Sequence, residues 1–171
     1  HHSARTKTVS YLVSSPDTIT TYRHDLTSAN IDKSELDDVR DYFEMHKEEI
    51  KLDYKNNNNN RSMQKNTKLY QEAVISFGRE QFENCDQSEI QKSIEIFSDN
   101  FENKYGCKIL MTSLHLDEGH KAKDGIIEHN YHAHILIENY SFDTHKTTLR
   151  KLDYRKLQTD LAKDFEHLGF E

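Results

Sequence analysis

Three histidines sit on two segments that alternate like β-strands. Over Lys108–His115, alternation places Met111, Ser113 and His115 on one face. Leu110, Thr112, Leu114 and Leu116 take the other. Over His132–Ile137, His132 and His134 share a face, and Ala133, Ile135 and Ile137 share its opposite. If these segments pair across the connection from Glu118 to Tyr131, three imidazoles converge. Three imidazoles with room for water or substrate are a means of holding a catalytic divalent ion. Neutral imidazole suits Mn, Fe, Co, Ni and Zn alike, so the ligands do not name the metal. A His-x-His pair alone is common on half-exposed strands. His115 in register, followed directly by Asp117 and Glu118, is what points to a metal centre. His120 and His129, in the connection, read as solvated loop residues, the alternative being a part in ligand exchange or DNA contact.

The elements that must position these residues follow from periodicity. Thr6–Ser14 predicts a first strand with Val9, Tyr11 and Val13 on one face, and Ser14-Ser15-Pro16-Asp17 breaks it. Ser34, with Asp37 three residues on, predicts a helix to about Ile50 that buries Leu36, Val39 and Phe43. Lys51–Lys68 contains five consecutive Asn, Asn56–Asn60, and predicts a mobile loop, because Asn competes with its own backbone for hydrogen bonds. Gln71–Phe77 predicts a second strand with Ala73, Ile75 and Phe77 facing one way. Asp86–Glu89 resembles a capping box; Ile90, Ile94, Phe97 and Phe101 follow at helical spacing, and Gly106 closes the helix. Cys107–Asp117 and His132–Asn139 predict the third and fourth strands. A last helix spans about Asp153–Leu168, with Leu157, Leu161, Phe165 and Leu168 on one face. This order predicts an α+β fold: an antiparallel sheet of four to five strands, helices on one face and the active site on the open face.

At 171 residues the chain is one domain in size. His1–Ser3 read as a tag remnant, and residues 4–171 as a catalytic domain of a longer protein. Two cysteines cannot build a disulfide framework, which favours a reducing, cytoplasmic compartment. No apolar run approaches the roughly 18 residues of a membrane span. The net charge of −7 opposes nucleic-acid binding at first sight, but its distribution does not. Asp25–Glu49 holds nine acids against three bases and Glu80–Lys104 seven against two; both are predicted helices on the side away from the histidines. Lys51, Lys55, Arg61, Lys65 and Lys68 form one basic cluster. Lys146, Arg150, Lys151, Arg155 and Lys156 form another. Phosphate contacts need only a local stripe of Lys and Arg. Tyr54, Tyr70, Tyr140 and Tyr154 border these stripes; each reads first as a packing residue, and the alternative is a face for an unpaired base.

The run Leu114-His115-Leu116-Asp117-Glu118 followed by His132-Ala133-His134-Ile135 resembles the metal motif of HUH-type relaxases, closest to the plasmid mobilization Mob/Pre (MobV) group. Leu52-Asp53-Tyr54 resembles that group's Leu-Asn-Tyr element. Phe97–Tyr105 resembles the helix before the metal strand, and Leu157–Glu171 the helix ending the domain core. One departure is the thirteen-residue stretch Gly119–Tyr131, where the group has a short turn. The resemblance implies a metal-dependent DNA strand transferase that nicks single-stranded or hairpin plasmid DNA at an origin of transfer. The covalent intermediate would join protein to a 5′ phosphate. It implies His115, His132 and His134 as ligands of one divalent ion, Mn or Mg first, with Zn, Ni or Co open. Bacterial cytoplasm and oligomerisation through an absent C-terminal part also follow from it.

The resemblance implies a histidine nucleophile after the first strand. His24 is the first choice and Tyr22 the alternative. Asp25 or Glu118 would orient or deprotonate an imidazole nucleophile, and Asp117 or Glu118 would hydrogen-bond a ligand histidine. Rival readings stay open: a rolling-circle replication initiator with Tyr154 as nucleophile, a non-catalytic DNA-binding module with a structural metal, or a metal hydrolase unrelated to DNA.

Overall fold

The computed structural model describes residues 11–14, 17–149 and 154–170, without the side chains of Leu36 and Tyr154. Four antiparallel strands form the main sheet in the order β1-β3-β6-β2. They are β1 (Thr18–Tyr22), β2 (Tyr70–Ser76), β3 (Lys108–His115) and β6 (His132–Glu138). The two histidine-bearing strands are therefore the central pair, hydrogen-bonded along both edges. A separate two-stranded ribbon, β4 (Gly119–Lys121) with β5 (Ile127–His129), occupies the connection between them. The helices are α1 (Asp25–Ser28), α2 (Leu36–Asn57), α3 (Arg79–Glu83), α4 (Gln87–Tyr105) and α5 (Tyr154–Phe165), the last followed by a 3₁₀ turn, Glu166–Leu168.

α4 forms as its spacing predicts. Asp86 caps it by accepting the Ser88 amide, and Gly106 ends it in the left-handed region at φ 68°. Its buried face, Ile90, Ile94, Phe97 and Phe101, packs on Ile109, Leu114, Ala133, Ile135 and Ile137 of the central strands. Phe165, Leu157, Leu161 and Leu168 of the last helical segment close the same core. Truncating one buried phenylalanine here costs about 3–5 kcal/mol, so this layer fixes the sheet from behind.

The opposite face carries the histidines, and half of it is covered too. α1 and α2 lie across its far end, where Leu26, Tyr42 and Phe43 pack with Tyr22, Tyr70, Leu110, Met111 and Leu136. The acidic helix α2 thus lies on the histidine side of the sheet, not behind it as predicted. A bulge between Ile109 and Met111 explains part of this packing. It turns Leu110 to the Met111 face and leaves Ile109 on the α4 face, against simple alternation.

Two segments differ from the sequence expectation. The first described strand is Thr18–Tyr22, while residues 6–10 of the predicted strand lie outside the described residues. Tyr11–Val13 run beside the end of β3: Val13 N–H donates to Asp117 O at 3.0 Å, and Gly119 N–H to Tyr11 O at 3.1 Å. The predicted loop from Lys51 is helical to Asn57. Ile50 is fully buried with Leu69 and Tyr140, and Asp53 accepts from Tyr140 Oη at 2.6 Å and faces His145 Nδ1 at 2.9 Å. These contacts carry the helix past the point where the Asn tract alone would end it. Asn58 then donates to the Tyr54 and His145 carbonyls, and Asn59 and Asn60 take positive φ.

Candidate metal centre

His115 ends β3 and His132 begins β6, and the two are direct partners in the antiparallel register. Ser113 pairs with His134, so the three rings share one face. Ring centroids lie 5.0 Å apart for His115–His132 and His115–His134, and 5.1 Å for His132–His134. His115 and His132 stack at 11°. The three residues are 0 %, 5 % and 5 % exposed, so this is a buried cluster and not an open surface site. The imidazoles pack against one another, with Glu118 beside them.

Each Nδ1 faces an oxygen. His115 Nδ1 lies 3.0 Å from Glu118 Oε1, His132 Nδ1 lies 2.7 Å from Asn130 O, and His134 Nδ1 lies 2.9 Å from Glu72 Oε1. An acceptor at Nδ1 keeps the proton there and places the lone pair on Nε2, the arrangement in which histidine binds a metal. Glu118 Oε2 also lies 3.7 Å from His132 Nε2. One ligand atom from each of His115, Glu118 and His132 falls within 4.8 Å of the others. His134 is outside that group, with its ring centroid 5.0 Å from that of His115. A nitrogen-rich set with one carboxylate fits a divalent transition ion and leaves positions for water or a phosphate oxygen.

Glu118 therefore sits within the cluster. Asp117 does not: its Oδ2 accepts the Asp17 amide at 2.8 Å and ties the segment before β1 to the end of β3. Glu72 escaped sequence reasoning. Its signal was alternation along β2, which sets Tyr70, Glu72, Val74 and Ser76 on the histidine face once the register with β6 is known.

His24 and Tyr22 are not brought to this centre. β1 runs antiparallel to β3, with Thr18 opposite His115 and Tyr22 opposite Met111. Tyr22 is about 13 Å from Thr18 along the strand, and His24 lies beyond the end of β1. There His24 Nε2 contacts Glu102 Oε1 at 2.7 Å, and Arg23 donates to Asp99 and Glu102. Tyr22 packs beside Leu26 and Met111, and burial raises its phenol pKa. The expectation that His24 faces the open side of the metal is thus corrected: the strand preceding it points away. Asp25 accompanies it at that end, 3.7 Å from Lys108.

The basic residues also gather at the far end of the sheet. Lys51, Lys55, Arg61, Lys65 and Lys68 are exposed along the end of α2 and the following loop. Asn139 N–H donates to Leu69 O, and Asn58 to His145 O, which brings the exposed Lys146 beside that loop. Lys51 pairs with Glu48 at 2.5 Å. Arg155 is exposed on α5, and Arg150 and Lys151 lie outside the described residues. No described helix is long and apolar enough to cross a membrane.

A search of curated proteins finds no match to this sequence. Among solved structures, the fold is similar to the MobM relaxase domain (MOBV; Mob_Pre), which is described as bound to plasmid pMV158 oriT DNA in a Mn-bound crystal structure. The similarity has a TM-score of 0.56 at 20 % identity and covers 90 % of this chain and 67 % of that one. Residues 16–171, which include both histidine-bearing strands and the helices behind them, match the family model Mob_Pre, plasmid recombination enzyme, and the chain belongs to that family.

Proposed function

We propose that this domain is a metal-dependent relaxase that nicks one strand of plasmid DNA at an origin of transfer and rejoins it. The observation that carries the reading is the convergence of His115, His132, His134 and Glu118 on the central strands of a chain of this family. His115, His132 and His134 are the proposed ligands, through Nε2, at about 2.0–2.3 Å. The similar relaxase domain is Mn-bound, which makes Mn the first metal to test here, with Mg next. A bound divalent ion supplies charge that polarises a phosphodiester oxygen. Glu72, Asn130 and Glu118 hold the imidazoles in the tautomer and orientation this requires. A nucleophilic side chain takes the 5′ phosphate, the 3′ oxygen leaves, and the freed 3′ hydroxyl reverses the step. The exposed bases from Lys51 to Lys68, with Lys146 and Arg155, are proposed to hold DNA phosphates away from the centre. The reaction belongs in the bacterial cytoplasm, where plasmid DNA is found.

Nicking of labelled single-stranded origin DNA with Mn tests the reading, and absence of metal-dependent nicking by the wild type overturns it. Mass spectrometry of the covalent adduct names the nucleophile. The geometry of β1 predicts that His24→Ala and Tyr22→Phe both keep the adduct. Loss in His24→Ala would show that the end of β1 moves to the metal on binding DNA. Loss in Tyr154→Phe would favour the replication-initiator chemistry.

A further inference from the structure

The ribbon between the metal-bearing strands stands on the candidate metal centre. Gly119 follows Glu118 directly, and Asn130 N–H donates back to Glu118 O at 2.8 Å. At its root the two strands approach so closely that a Cβ on Gly119 would collide with the Glu128 carbonyl. Beside this root lies a cleft of about 580 Å³, lined in part by Arg79, Glu118, His120, Glu128, His129 and Asn130. Glu118 is thus a wall shared by the cleft and the metal cluster.

An aromatic column ends at this cleft. Phe82, buried in the core, stacks on Tyr131 at 4.2 Å and 12°, and Tyr131 stacks on His129 at 5.4 Å and 3°. Of the three rings, His129 lines the cleft. A parallel column anchored in the core presents a fixed π-face, the surface on which unpaired bases stack. The surrounding groups suit a base better than a phosphate. Glu118 and Glu128 would repel a phosphate, while His120 already faces Glu128 at 2.9 Å and Arg79 faces Glu83 at 3.1 Å. The side-chain amide of Asn130 offers hydrogen bonds to the edge of a planar, uncharged ring. The volume accepts one base with its sugar.

We propose that this cleft is a nucleobase subsite. One base of the single strand, next to the scissile phosphate, leaves its neighbours and stacks on His129, and Glu118 separates it from the metal centre. The proposal rests on the relaxase reading and deepens it, since it assigns a role to the ribbon.

The test uses the full chain with Mn and single-stranded oligonucleotides of randomised sequence in which thymine is replaced by 5-iodouracil. Binding is followed by fluorescence anisotropy, and photocrosslinks are mapped by peptide mass spectrometry. Crosslinks are expected on the peptide that carries His129 and Tyr131. His129→Ala should lose that crosslink and weaken binding about 5- to 150-fold, the range for loss of one stacked base. His129→Phe should restore affinity, which separates stacking from loss of a charge or of a fold. Both variants should melt with the wild type, because His129 lies on the short ribbon outside the main sheet. Wild-type binding with crosslinks elsewhere, or unchanged affinity in His129→Ala, overturns the subsite and leaves the relaxase reading standing. Failure of the wild type to bind any single strand overturns both.

Discussion

Replacing Glu138 by Gln should make the stability of this domain less dependent on pH. Glu138 is 1 % exposed at the end of β6, and its Oε2 lies 2.6 Å from His46 Nε2 on α2. The hydrogen bond to Glu138 is the chief cause that raises the His46 pKa; burial opposes it, and the Glu138 and Glu49 charges add to it. A histidine whose pKa is raised on folding contributes stability that is fully present below the ordinary imidazole value of 6.5. That contribution is lost as pH rises through the higher folded value. A hydrogen bond to a charged group contributes about 1.5–3 kcal/mol, and the His46 side chain is only 13 % exposed, so solvent screens it little. A domain of this size shifts by about 2–4 °C per kcal/mol. Glu138→Gln should therefore lower Tm by about 3–12 °C under mildly acidic conditions. The deficit should shrink at alkaline pH, where the wild type has lost the imidazolium. Thermal melts by circular dichroism at about pH 5.5 and about pH 8.5 measure both. A deficit that stays constant or grows with pH would show that packing of the carboxyl group, and not its charge on His46, ties α2 to β6.

Metal binding should be visible without DNA. At a hundredfold excess over Kd, Mn should stabilise the wild type by about 2.7 kcal/mol, or about 5–11 °C. His132→Ala should show no such shift in a thermal-shift assay, and a retained shift would place the ion elsewhere. Glu72→Gln should leave the fold intact and weaken metal affinity about 10- to 100-fold in titration calorimetry, because it removes the charged acceptor on His134 Nδ1. Asn58→Ala removes two hydrogen bonds to main-chain carbonyls and should cost about 1–3 kcal/mol in urea unfolding, whereas Asn59→Gly, at φ 54°, should cost nothing.

Local signals along the chain were enough to place α4 and the two central strands. Asp86, the Ile90–Phe101 spacing and Gly106 each act within a few residues of one another, so they specify a helix wherever it packs. Alternation of Ser113 and His115, and of His132 and His134, puts those side chains on one side of each strand before any partner is known. The histidine cluster was therefore legible as soon as the strands were assumed to pair. The Asn tract misled because its propensity is local, while Ile50, Tyr140 and His145 hold that stretch of α2 through contacts far along the chain.

Register, burial and the partners of each ring were decided by the tertiary structure. The bulge that turns Leu110 toward α2 depends on pairing with Ile137 and Leu136, which no pattern within β3 reveals. His24 looked well placed because it follows a strand, but its distance from the histidine cluster depends on which way β1 runs beside β3. Glu72 meets His134 only through the β2–β6 register, across 62 residues of chain. A sequence specifies which side chains share a face, because that is set by the geometry of a single strand. Which faces meet, and at which end, is set by contacts between strands, whose free energy exists only once the chain has folded.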